Sequence, residues 1–205
     1  MSFSLTNWGY SVDGTLPDFI TAEEFNAFTA SKFSGDARIS SNIKAATAAI
    51  RNFCGWHLYS ELPCQLSTTF FDRRVSKVRG GILIQLPAKH VTGITGITIN
   101  GESYDKYTWG TSGLLKIYCV SDFEEYTPIV VNYTAGLPSD LMDAIKELTA
   151  QQVIHALASS YGVTSEAAGG VSITYNASWA GRAQSTAFSD DSKEVLLPYR
   201  IGGVV

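Results

Sequence analysis

Ile129-Val130-Val131-Asn132-Tyr133-Thr134-Ala135-Gly136-Leu137-Pro138-Ser139-Asp140 is the stretch on which the fold turns, because it passes from a β pattern to a helical one within a few residues. The β-branched and aromatic run to Tyr133 reads as a strand. Pro138 and Ser139 then open a helix that extends to about Tyr161, with Asp140 and Asp143 near its positive end and Gly162 as its stop. Leu141, Ile145 and Leu148 lie on one face of that helix, whereas Ala150, Val153, Ile154, Leu157 and Tyr161 lie roughly 180° around it at 100° per residue. Two readings fit this pattern. The helix runs through its own core, or one half packs on the domain and the other half on a second copy of the chain.

Upstream, short β-rich runs divided by Gly, Pro and Asn occupy the chain from Leu58 to Tyr133: Gln65 to Phe71, Gly81 to Leu86, Ile94 to Ile99, Tyr104 to Trp109, Leu114 to Cys119 and Ile129 to Tyr133. Asn100-Gly101 is the strongest hairpin signal, since a type I′ turn needs φ > 0 at both central residues. Earlier still, Thr21 and Glu24 form a capping-box pair, with Ile20 and Phe25 placed as a hydrophobic staple. Gly35 closes that helix. Asp36 is positioned to cap the next one, where Ile39, Ile43, Ala46, Ile50 and Phe53 recur at helical spacing and Ser41, Lys44 and Arg51 fall elsewhere, up to Gly55.

Downstream, residues 166–170 read as a loop of small residues and Val171 to Tyr175 as a strand, followed by a polar, aperiodic arm over 176–192. The arm ends in the apolar cluster Val195-Leu196-Leu197-Pro198-Tyr199-Arg200-Ile201, too short to fold alone, which predicts docking on its own domain or on a partner. Together these elements predict an α+β chain with a helical bundle core of two N-terminal helices plus one long helix. A β-rich insert forms a small antiparallel sheet or sandwich, and an extended C-terminal arm follows. The corresponding segments are 1–57 (lead-in and two helices), 58–135 (β-rich insert), 136–163 (long helix) and 164–205 (strand and docking arm).

The 205 residues carry a formal charge of -4, with 45% hydrophobic, 12% aromatic and only 17% charged residues. Disorder is excluded by the apolar content, and a surface short of charge suits coverage by partners. The acidic balance argues against affinity built on phosphate neutralisation. The N-terminal residues have no basic region and no apolar run, and nothing later reaches the length of a membrane helix, so the expected compartment is a cytoplasm without membrane attachment. Cys54, Cys64 and Cys119 read as reduced core thiols.

Motifs for chemistry are missing. His57, His90 and His155 have no partner at metal-ligand spacing; His57, at a helix end, is explained by the dipole or a carbonyl, and His155 as a packing residue. Gly110-Thr111-Ser112-Gly113 is one residue short of a nucleophile elbow and reads as a turn. There is no phosphate-binding loop, and the paired acids are adjacent in sequence on polar stretches. No enzyme activity, cofactor or metal is expected. Arg73, Arg74, Lys77 and Arg79 cluster between two strands and fit contact with DNA or an acidic partner, or a solvated hairpin tip. Asn132-Tyr133-Thr134 and Asn176-Ala177-Ser178 match glycosylation sequons without a secretory context. Trp109, Tyr104, Tyr107 and Tyr118 would supply the stacking surface of a carbohydrate- or receptor-binding β module, although strand aromatics also serve as core.

One order of motifs spans nearly the whole chain from about residue 20: two helices, Phe53-Cys54-Gly55-Trp56, Leu86-Pro87-Ala88, Ile97-Thr98-Ile99-Asn100-Gly101, Tyr133-Thr134-Ala135-Gly136-Leu137-Pro138, Ser165-Glu166, Gly169 to Tyr175, and Leu197-Pro198-Tyr199-Arg200. In this order the chain resembles the head-to-tail connectors of tailed bacteriophages, also called adaptor or head-completion proteins. The resemblance implies a ring of identical subunits, expected to number about twelve, a closed cyclic assembly. Such a ring sits below the portal protein once the head is filled, extends the channel for double-stranded DNA without reading its sequence, and presents a lower face to a stopper or tail-completion protein. By position, Ala150, Val153, Ile154, Leu157 and Tyr161 would meet a neighbouring subunit, and Leu196, Leu197, Pro198, Tyr199, Arg200 and Ile201 would dock on the portal. The place of action would be the virion neck, assembled in the host cytoplasm. The β-rich insert departs from the smallest, mainly helical members.

Overall fold

The structure, a computed structural model, describes residues 3–5, 9–118, 124, 126–158, 165–168, 171–174 and 190–201. The chain divides into two compact units, each assembled from separate segments. One comprises Met1–Pro17, Arg51–Asp143 and Leu196–Val205, the other Asp18–Ile50 and Ala144–Val195.

The first unit is built on two antiparallel sheets. Strands β1 (Phe3–Leu5), β2 (Tyr10–Val12), β3 (Leu62–Thr69), β10 (Pro128–Ala135), β6 (Val91–Ile99) and β7 (Glu102–Ser103) lie in that order in a six-stranded sheet. In the other, β4 (Val75–Val78), β5 (Gly81–Gln85), β9 (Leu114–Tyr118) and β8 (Tyr107–Trp109) follow one another. Alternation decides which side faces inward. Cys64, Leu66 and Thr68 of β3, Ile129, Val131, Tyr133 and Ala135 of β10, and Ile82, Ile84, Leu115 and Ile117 of β5 and β9 are buried, while their sequence neighbours point outward. Register shifts between β10 and β6 skip Thr95 and Thr92, bulges placed beside Gly96 and Gly93. The Asn100-Gly101 turn closes β6 onto β7 with φ of 54° and 84°, as the type I′ reading requires.

The second unit contains α1 (Ala22–Phe28), most of α2 (Ile39–Cys54), most of α3 (Ser139–Ala158) and the hairpin of β11 (Ser165–Ala168) with β12 (Val171–Thr174). Thr21 and Glu24 form the expected capping box. Asp36 accepts a hydrogen bond from the backbone of Arg38 at 2.9 Å, and the Arg38 guanidinium holds its carboxyl down to about 2. Ile20, Phe25, Ile39, Ile43, Ala46, Ala150, Val153 and Leu157 form one apolar cluster.

The expected helical bundle core is thereby overturned. The architecture is β-rich, and the helices of the second unit supply a smaller apolar cluster of their own. The β region is also no insert, because β1 and β2 precede both helices and pair onto β3 through Tyr10↔Leu66, Ser11↔Gln65 and Val12↔Cys64. Three-residue strands are too short to display a period, so the lead-in carried no readable β signal. β4 is likewise a strand where the basic run suggested a tip. At the other end of the chain, α4 (Asp190–Leu196) and a 3-10 turn (Leu197–Tyr199) occupy part of the segment read as an arm without structure. Tyr161, Gly162, Cys119, Tyr175 and residues 176–189, to which the sequence reading gave roles, lie outside the described residues.

Candidate functional site

The C-terminal segment is attached to the first unit where α2 ends. Helix α2 stops at Gly55, whose φ of 79° suits glycine, and the chain turns through Trp56. The indole Nε1 of Trp56 donates to the Tyr199 carbonyl at 2.7 Å, and the Ile201 backbone N–H donates to the Cys54 carbonyl at 2.9 Å. Lys89 Nζ donates to the Pro198 carbonyl, and the Arg200 guanidinium lies 5.2 Å above the centre of the Phe53 ring. Of the six residues assigned to portal docking, Leu196 is buried, Tyr199 and Ile201 are half-buried, and Leu197, Pro198 and Arg200 are exposed. The cluster thus docks on its own chain through its backbone and the Leu196 and Arg200 side chains, leaving Leu197 and the adjoining Val195 open to solvent.

Beneath this attachment lies a buried polar group. The Ala135 carbonyl, 3.0 Å from His57 Nε2, can only accept, so that nitrogen carries the proton and Nδ1 accepts from the Tyr10 hydroxyl at 2.5 Å. Burial pushes His57 down to about 4 and Cys64, 3.7 Å from the same hydroxyl, up to about 11. A neutral imidazole therefore joins β2, the end of α2 and β10. The carbonyl reading of His57 agrees with this geometry, but its hydroxyl partner came from the unread lead-in. Arg51, placed off the apolar face by periodicity, is buried all the same: Nε donates to the His57 carbonyl at 2.9 Å and Nη2 to the Pro17 carbonyl at 2.7 Å. No sequence signal marked it, because its partners are backbone oxygens.

The Tyr-x-Ala-Gly-x-Pro junction has a steric basis. A Cβ on Gly136 would stand 2.2 Å from the Glu61 nitrogen, so no side chain fits where the Leu137 N–H donates to the Tyr59 carbonyl at 2.7 Å.

The face of α3 assigned to a neighbouring subunit is placed differently. Ala150, Val153 and Leu157 are buried in the cluster with α1 and α2, and Ile154 packs against it, so their apolar surface is used within the chain. Thr149, fully buried with Oγ1 donating to the Ile145 carbonyl at 2.7 Å, falls between the two apolar groups and joins them into one wide inward band. A count of apolar residues passes over it.

The basic run also divides. Arg73, Lys77 and Arg79 are exposed, but Arg74 is only 8% exposed, with Nε 3.7 Å from Asp72, and is withdrawn from any DNA or partner surface. Trp109 is exposed at the rim of its sheet, while Tyr104, Tyr107 and Tyr118 are half-buried; the Tyr104 hydroxyl donates to the Tyr118 carbonyl and Lys116 lies over the Tyr118 ring, so no open stacking platform forms from the four. His155 is exposed rather than packed, and His90 is half-buried. Cys54 and Cys64 are free, buried thiols, with burial pushing Cys54 up to about 12. Among the described residues, no group of three or more His, Cys, Asp or Glu gathers as a metal site, and no helix is long and apolar enough to cross a membrane. The outward face of the six-stranded sheet carries no charge along its registered row Ser11, Gln65, Asn132 and Gly96, where Gln65 Nε2 donates to Asn132 Oδ1 at 2.9 Å.

A search of curated proteins found no match to the chain. A protein-family model described as head completion protein matches residues 18–201, a span that takes in helices α1 to α4, the four-stranded sheet, the six-stranded sheet apart from β1 and β2, the Gly136 junction and the attached C-terminal segment. With that span covering most of the chain, the protein belongs to the head completion protein family and has a structural role in completing the bacteriophage head.

Proposed function

We propose that the protein is the joint between the filled phage head and its tail, a ring of identical subunits, about twelve in a closed cycle, bound to the portal. The observation that carries this reading is the family match over residues 18–201 together with a C-terminal segment held in place by the Trp56 indole while Leu197 stays 52% exposed. A preformed apolar tip binds a portal with less ordering cost than a loose arm. The exposed Val195, Leu197 and Pro198 are the surface available to it.

Lateral contact between copies is supported by the uncharged outward face of the six-stranded sheet, where neither like-charge repulsion nor buried ions would oppose close approach. The net charge of -4 suits a channel through which DNA slides without being held. Arg73, Lys77 and Arg79 remain available for passing phosphates or the next neck protein, a stopper or tail-completion protein. The subunits act in the virion neck after assembly in the host cytoplasm, by binding alone, without catalysis or cofactor.

Electron microscopy of a lysate from a phage with a nonsense mutation in this gene tests the reading. Separate tails and heads that leak DNA are expected; intact tailed particles would remove it.

A further inference from the structure

The first unit has two chemically different ends. Strand β10 runs the length of the six-stranded sheet from Pro128, which pairs with Thr69, to Ala135, which pairs with Leu62 and Val91. The C-terminal segment is attached at the Ala135 end, through Lys89 beside the start of β6. Phe71, just past the end of β3, and Tyr126, just before β10, mark the Pro128 end, about 25 Å away at the rise of an extended strand. These two rings are 64% and 76% exposed and lie against each other with centroids 6.1 Å apart.

The pair is held by backbone. The Asp72 N–H donates to the Thr69 carbonyl at 3.1 Å, the Thr127 N–H to the Glu124 carbonyl at 3.0 Å, and the Asn100 N–H to the Pro128 carbonyl at 2.9 Å. Two large aromatic side chains side by side in water at a sheet end are costly to leave uncovered and match the anchors that dominate protein interfaces. We propose that Phe71 and Tyr126 are the anchor by which this protein grips the virion protein that follows it in the neck, through an apolar pocket on that partner. The inference rests on the connector reading and orients the subunit within it: Leu197 toward the portal, Phe71 and Tyr126 toward the tail.

A protein partner fits better than the other occupants. Exposed Glu102 and Glu124 outnumber exposed Arg73 at this end, an acidic excess that does not favour phosphates and complements a pocket edged with cations. A glycan stacks best on a flat platform, whereas these two rings are tilted 31° to each other. A second copy meeting the first through the same tip would make a closed two-fold contact, removing the tip from the head-to-tail line.

The test is a joining assay. Tailless heads from a phage lacking this protein, collected before their DNA has leaked, are mixed with purified protein, then with tails from a head-defective lysate, and scored for head-bound protein, tailed particles and plaques. The double variant Phe71→Ser, Tyr126→Ser is expected to melt and load onto heads as the unmodified protein does, while tailed particles and plaques fall about 100-fold, as for loss of two interface anchors. Phe71→Tyr with Tyr126→Phe is expected to restore both. Should the double variant not fold, Tyr126→Ser alone, at the more exposed ring, is expected to give about a 10-fold fall. Undiminished tailed particles overturn the proposal. So does a variant that no longer loads onto heads, which would place the rings at the portal, or normal tailed particles with lost plaques, which would make them a receptor contact. If unmodified protein fails to load, the connector reading itself falls, a result distinct from failure of the variant.

Discussion

The two units hold themselves together by different chemistry. In the sheet unit, buried polar groups link elements far apart in sequence: His57 joins Tyr10 to Ala135, Arg51 joins His57 to Pro17, and Trp56 joins α2 to Tyr199. The helical cluster relies on apolar side chains, and its polar links include a local cap, the Phe19-to-Thr47 bond, the exposed Lys146–Glu24 pair at 3.0 Å and the Gln152-to-Ser192 bond. Directional bonds fix which elements meet, whereas apolar contact tolerates exchange of similar volumes. The sheet unit should therefore be sensitive to single polar changes and to pH, and the helical cluster mainly to volume.

The largest expected effect is at Trp56. Trp56→Ala removes a fully buried indole and its bond to Tyr199, and should cost about 4 kcal/mol in denaturant unfolding while exposing the C-terminal segment to limited proteolysis. A variant that melts normally would show that the attachment carries no stability.

Next comes pH. His57 titrates at about 4 in the fold against an ordinary value near 6.5, so as pH falls the unfolded chain takes up the proton first. This contribution is fully present above about pH 6.5 and is lost progressively down to about pH 4, a total near 3 kcal/mol. Denaturant midpoints across that window, with His57→Asn losing this slope, check it.

In the helical cluster, Leu157→Ala should cost about 2 kcal/mol without a pH slope of its own. Leu157→Asp should unfold that cluster rather than merely release a neighbouring subunit, and a folded monomer would contradict the intrachain packing. The smallest effect sharpens the contrast at an exposed site: Thr21→Ala, which removes the side-chain bond to the Glu24 N–H, should cost about 1 kcal/mol by thermal melting.

The parts of this fold that were legible are those with local causes. The capping box at Thr21, the turn at Asn100-Gly101, the strand at Ile129 to Tyr133 and the stop at Gly55 each follow from a few adjacent residues. Arg51 was misread and Thr149 passed over because burial of a polar residue depends on which backbone oxygen lies nearby, and periodicity does not report that. The same limitation gave Arg74 to the surface. Val153 and Leu157 were apolar at the right spacing, but spacing alone does not say whether the covering surface belongs to the same chain.

By itself, the sequence determined helices α1 to α3, the longer strands from β3 to β10, the absence of recognisable catalytic motifs and the family, because caps, turns and motif order are encoded within short reach. Only the tertiary structure decided that the lead-in completes a six-stranded sheet, that the C-terminal segment attaches beside Trp56, and that Phe71 and Tyr126 meet at the far end of β10. Each of those contacts joins residues separated by tens of positions, and the chain's closure over such distances is set by packing of the whole unit rather than by any local preference.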